Sequence, residues 1–183
     1  KIDLLGNRSL AVIRDALAAV HHNTGRLIDY ELWDPISDPV TQELIRRGDT
    51  MGCFYVESPA TRLLLKKLWT TMPKARRAHA DVFEYLVVVS SIIRPAANVY
   101  ADDFIRRSHG HPYRSWHPLL DEVLAETHGI MVYQEDVMKV AVALGGFSVH
   151  DGDQLRKILS KKHKERQLRD YQRQFYEGAA ARD

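Results

Sequence analysis

Residues 129–164 constrain this chain more than any other stretch. Gly129-Ile130-Met131-Val132-Tyr133 reads as a short strand, Gln134 opens a helix, Gly145-Gly146 breaks it, and a second helix follows through Asp153, Arg156 and Lys157 with a cationic exposed side. Residues 154–173 hold eight basic side chains against two acidic ones, a local excess of six in a chain whose formal net charge is +2, so the remainder carries −4. Charge gathered in one segment points to an anionic partner there; a solvated helix face is the plainer explanation of charge alone.

The rest of the chain is punctuated as helices. Ser9 can cap a helix through about His22, with Leu10, Ile13, Leu17 and Val20 on one face and Thr24-Gly25 as the stop. Asp38-Pro39 and Ser58-Pro59 each place a capping side chain before a proline at the first helical position; Gly48 ends the first of these helices and Pro73 the second. Between them, residues 51–56 form a short apolar run suited to a strand or an extended loop. A strongly apolar helix over 79–93, ended by Arg94-Pro95, is expected to be buried all round. Amphipathic helices follow over 98–109 and 118–128, with a last one from about Lys164 toward Ala180. The expectation is a mainly α body with one or two short strands.

At 183 residues, with ordinary shares of apolar and charged side chains, the chain can bury one real core. No apolar run approaches the roughly 20 residues of a membrane helix. Lys1-Ile2-Asp3-Leu4-Leu5-Gly6 has neither an initiator Met nor signal-peptide organisation, so the sequence reads as a piece of a longer polypeptide. Cys53, the one cysteine, cannot form an internal disulfide; it reads as a small buried hydrophobe in a reducing, cytoplasmic compartment.

Chemistry-bearing motifs are sparse. His109, His111 and His117 match no standard zinc spacing, and there is neither a phosphate-binding glycine loop nor a nucleophile elbow. Asp3 sits in an alternating stretch, as on a strand with one face in a cleft, where a carboxylate can hold a divalent metal; an ordinary surface aspartate fits equally well.

Six blocks in order resemble the bacterial C-family DNA polymerases (the DNA polymerase III alpha subunit): the Lys1–Leu10 stretch with Asp3; Gly48-Asp49-Thr50 through Phe54, Glu57 and Ser58; Arg94-Pro95; the block from Tyr113 and Pro118 to Tyr133-Gln134-Glu135 and Val137-Met138; Gly146-Phe147-Ser148 through Asp153, Leu155, Arg156 and Lys162; and Phe175 with Gly178-Ala179. The resemblance implies a helical fingers domain at 26–183 after a fragment of the palm at 1–25, the latter being the catalytic-aspartate strand and its following helix. It implies a nucleotidyltransferase that extends a primer with deoxynucleoside triphosphates. Asp3 would be a catalytic Mg2+ ligand, with the family's other two aspartates upstream, so this piece alone should be inactive. Arg156, Lys157, Lys161, Lys162 and Lys1 would meet the triphosphate, while Tyr133, Gln134 and Arg94 would line the nucleotide or template; core packing suits Tyr133 about as well. Implied partners are primer–template DNA, dNTP, a sliding clamp and other polymerase subunits, with no membrane.

The departures from the family pattern are Ala96-Ala97 after Arg94-Pro95, Tyr55 for glutamine, Lys157 for the second arginine and Ser160 before Lys161-Lys162. Lysine keeps the charge and loses the bidentate fork. That relaxation resembles the error-prone, repair-associated branch of the family. The rival reading is a non-catalytic, nucleic-acid-binding helical module, which the basic segment alone would support.

Overall fold

The computed structural model describes residues 8–94, 98–159, 161 and 164–182, and among these every regular element is a helix. The order is α1 (Arg8–Thr24), α2 (Pro39–Arg47), α3 (Pro59–Thr71), α4 (Lys74–Arg77), α5 (Val82–Ile92), α6 (Ala101–Ser108), α7 (Pro118–Val123), α8 (Gln134–Ala143), α9 (Val149–Leu159) and α10 (Glu165–Ala180). Short 3-10 turns cover Asn98–Tyr100 and Ala125–Thr127. None of the described helices is long and apolar enough to cross a membrane.

The cap–proline pairs act as their residues dictate. Asp38 accepts the Thr41 amide at 2.7 Å and Ser58 accepts that of Thr61 at 3.2 Å, each satisfying a donor the first helical turn cannot. Asp81 does the same for α5, accepting from Phe83 and Glu84 at 2.7 and 3.1 Å, so this helix begins later than His79. It is also not buried all round: Val82, Val88, Val89 and Ile92 face the core, whereas Phe83 is about half exposed.

Neither described stretch expected as a strand forms one. In residues 51–56 the Cys53 and Val56 amides bond back to Thr50 and Cys53, Tyr55 takes a left-handed φ of 72°, and Thr50 donates its hydroxyl to the Val56 carbonyl at 2.6 Å. These local bonds use the groups a ladder would need, and they leave Cys53 half-buried rather than in the core. In residues 129–133 the Val132 and Tyr133 amides instead meet the side chain of Asp136.

The main core joins α3, α5 and α6, with Leu65, Leu68, Trp69, Val89, Ile92 and Phe104 almost fully enclosed. Tyr85 sits edge-on to Trp69 at 5.4 Å between ring centroids. A second, smaller cluster ties α10 to the α8–α9 connection: Phe147 is buried, with Tyr171 and Phe175 at 5.9 and 6.3 Å. The helices approach closely there, since a Cβ on Gly178 would stand 1.8 Å from the Gly145 carbonyl oxygen. Helix α1 stands apart, for none of its residues is buried and Leu10 is 57% exposed.

This division has a measurable consequence. Leu68→Ala, which empties a fully buried site, should lower the unfolding free energy of the 183-residue chain by about 2–5 kcal/mol. Leu10→Ala should change it by no more than about 0.5 kcal/mol. Urea denaturation of both variants checks this; comparable losses would mean that α1 is part of the core.

Candidate nucleotide-binding site on helices α8 and α9

The site is built by two helices held face to face. Ser148 caps α9 by accepting the Asp151 amide at 3.1 Å, which starts the helix directly after buried Phe147. Gly152 lets it lie against α8, because a Cβ there would come within 2.9 Å of Met138 Cγ. Helix α8 is set by Asp136, whose carboxylate is 2% exposed and accepts the Val132 and Tyr133 amides at 2.9 and 2.8 Å. An acid in the first turn also suits the positive end of the helix dipole.

Five of the residues singled out in the sequence gather around this pair. Arg156 donates Nε and Nη2 to Asp153 Oδ1 at 3.1 and 2.8 Å, and Nη1 to Gln134 Oε1 at 3.4 Å. Lys157 Nζ meets Asp153 Oδ2 at 2.5 Å. Gln134 in turn lines a cavity of about 170 Å³ together with Arg94 and Tyr133. Arg94, Tyr133, Gln134, Arg156 and Lys157 therefore form one connected surface. Tyr133 also packs against the main core, and burial, with Asp136 and two glutamates adding to it, pushes its phenol up from the ordinary value. Lys161 is exposed beyond the end of α9. Lys1, Asp3 and Lys162 lie outside the described residues.

Asp153 is the residue the sequence reading passed over. It sits three and four positions before Arg156 and Lys157, the spacing at which helical side chains meet, and that spacing was visible in the sequence. It draws two cations onto one carboxylate and holds Arg156 by its Nε–Nη2 edge, leaving Nη1 to reach Gln134. The histidines do other work: His109 Nε2 donates to the Leu68 carbonyl at 2.8 Å, and His117 Nδ1 accepts the Leu119 amide at 3.2 Å. No group of three metal-binding side chains occurs among the described residues.

The two helices together carry Glu135, Asp136, Asp151 and Asp153 against Lys139, Arg156 and Lys157, so what suits a phosphate-bearing ligand here is the planar Arg156 fork with Lys157 beside it and not the net charge of the pair. Residues 9–183 match the family of the bacterial DNA polymerase III alpha subunit finger domain. The chain belongs to that family. Among relatives of this finger domain, the DNA polymerase III subunit alpha of Chlamydia pneumoniae is 37% identical over 163 residues, 88% of this chain and 12% of that protein. The one from Neisseria meningitidis serogroup B is 36% identical over 180 residues, 98% of this chain and 15% of that protein. That of Staphylococcus aureus (strain COL) is 36% identical over 181 residues, 98% of this chain and 16% of that protein. The finger domain thus spans about a seventh of the length of the relatives it matches.

The Asp153 cluster sets a pH test. Hydrogen bonds from Lys157 and Arg156 hold the Asp153 carboxyl below the ordinary aspartate value. A depressed folded-state pKa means the contribution of this cluster is present above the unfolded-state value and is lost as pH falls through the folded one. A carboxyl 13C NMR titration should place the Asp153 midpoint below the usual ~3.9, and Lys157→Ala should move it back up. An unchanged midpoint in Lys157→Ala would mean the contact does not persist in solution.

Proposed function

We propose that this chain is the nucleotide-delivering part of a DNA-directed DNA polymerase. Arg156 and Lys157 hold the triphosphate of the incoming dNTP, Lys161 and Lys162 add to its charge neutralisation, and Tyr133, Gln134 and Arg94 line the nucleotide or template side. The observation that carries this reading is the fork of Arg156, held by Asp153 and touching Gln134, on a helix pair that also carries Lys157. An anion of higher charge density can compete for the Arg156 donors, since Asp153 offers a single carboxylate to two cations. A general nucleic-acid-binding module, which needs charge alone, has no use for a fork tethered to a neutral amide on the next helix.

In this reading residues 1–25 belong to the palm; α1 buries none of its residues within this chain, while the finger-domain match takes in this helix from Ser9 onward. Magnesium would supply charge stabilisation of the phosphoryl transfer. The described residues provide no cluster fit to hold it, so its site would be Asp3, with Lys1 near the phosphates, together with carboxylates of the rest of the polymerase. What this chain itself does is bind, orient and neutralise the nucleotide. Primer–template DNA meets the exposed arginines Arg166, Arg169 and Arg173 of α10, and clamp or accessory subunits bind elsewhere on the polymerase. Lys157, which supplies charge without a fork, fits an error-prone enzyme that grips the nucleotide less directionally.

The test is Arg156→Ala in the polymerase carrying this chain. Loss of one charge-assisted contact, roughly 1.5–3 kcal/mol, should lower kcat/KM for dNTP by about one to two decades, with a raised KM and a slower incorporation rate. Primer–template affinity should hardly change, and Arg156→Lys should recover part of the loss. If DNA affinity falls while the nucleotide KM stays put, the binding-module reading holds instead.

A further inference from the structure

Two apolar cavities flank α7 on the side of the domain where α6, α8 and α10 converge, and they share Trp116 and Leu120. The first, about 340 Å³, is completed chiefly by Tyr100, Arg107, Met131 and Val140. The second, about 270 Å³, is completed by Leu144, Phe175 and Arg182, among others. Both are near the size of small-molecule sites, roughly 300 Å³ and upward. Trp116 stands between them 81% exposed, with Tyr100 and Met131 about half exposed on the rim. A large indole left in water beside two apolar hollows is a surface that a ligand can cover with gain.

The chemistry of the lining narrows the ligand. No carboxylate lines either cavity among the described residues, while Arg107, Arg182 and His117 do. The Arg107 guanidinium lies over the Tyr113 ring, 4.3 Å from its centroid, and donates one N–H to the His128 carbonyl at 3.0 Å. Its Nε is buried with no hydrogen-bond partner among the described residues. Apolar hollows edged by the Trp116, Tyr100 and Phe175 rings, with cations and no acid, fit a ligand that carries flat rings on an anionic backbone. The groove and the Arg156 surface share the 130–134 segment, Ile130 and Met131 lining the first cavity and Tyr133 and Gln134 the other surface, but no residue lines both. Gln134 opens α8, whereas Val140 and Leu144, which line the cavities, lie roughly 9 and 15 Å further along its axis at 1.5 Å per residue.

We propose that this groove binds unpaired single-stranded DNA, with one base stacked on Trp116 and its neighbours entering the cavities on either side. The strand's phosphates meet Arg107 and Arg182. Stacking tolerates any base, so the site grips the strand without reading its sequence. The choice of DNA as the strand rests on the polymerase reading; the site itself rests on Trp116 and its surroundings.

Tryptophan fluorescence tests this directly in the 183-residue chain, because Trp69 is buried and only Trp33 and Trp116 are open to solvent. An oligothymidylate of about 12 nucleotides, within the range of single-strand site sizes, should quench the emission saturably, and Trp116→Phe should remove that quenching. Trp116→Ala should weaken binding about tenfold, the effect of one lost stack. An abasic strand of the same length should bind the unsubstituted chain more weakly by a similar factor and lose nothing further in Trp116→Ala. The abasic comparison on the unsubstituted chain stands even if Trp116→Ala unfolds. Equal affinity for the two strands, quenching that survives Trp116→Phe, or quenching by an acidic, leucine-rich peptide and not by DNA would each overturn the proposal. The last outcome would make the groove a protein-docking surface. None of them touches the triphosphate reading, which the Arg156 kinetics decide separately.

Discussion

The buried carboxylate of Asp136 is the contact on which the site hangs. It accepts the Val132 and Tyr133 amides at 2.9 and 2.8 Å from within the first turn of α8, where burial leaves it 2% exposed. Removing it would strand two amide donors, at about 1–3 kcal/mol for each that stays dry. The bond pair does more than stabilise. It bends residues 129–133 into the start of a helix, which packs Tyr133 against the core and leaves Gln134 pointing toward α9. The hydrogen bond from Arg156 to Gln134 exists because that register is fixed.

From there, placement passes along close backbone approaches. Gly152 brings α9 onto Met138, buried Phe147 anchors the connection, and Gly178 admits the Gly145 carbonyl so that α10 docks beneath it. The basic segment is therefore not one solvated face. Its first part, Arg156 and Lys157, is gathered by Asp153 into an oriented cluster, while Arg166, Arg169 and Arg173 ride exposed on α10. Electrostatics of these two kinds suit different ligands. An oriented fork discriminates geometry, and a row of exposed arginines attracts any polyanion.

Much of this was legible in the sequence. Asp38-Pro39, Ser58-Pro59 and Gly145-Gly146 punctuate the chain through local chemistry, so α2, α3 and the break between α8 and α9 lie where these residues put them. The strands expected at 51–56 and 129–133 do not form, because short apolar runs do not reveal whether their amides will find a ladder or a side chain. Thr50 and Asp136 captured those groups instead. Asp153 could have been found from its helical spacing to Arg156 and Lys157. Trp116 could not, since an exposed indole and a buried one look alike in sequence. Nor could the lack of any buried residue in α1, whose apolar stripe promises a core it does not meet in this chain.

In the proposed function Arg156 and Gln134 form one ligand-contacting surface across two helices. This is tested most directly by titrating a deoxynucleoside triphosphate into the isotopically labelled 183-residue chain and following side-chain NMR signals. The Arg156 Nε–H and the Gln134 amide resonances should move together and saturate at one nucleotide concentration, with α1 unaffected. Shifts confined to Arg166, Arg169 and Arg173, with Arg156 and Gln134 unmoved, would contradict it.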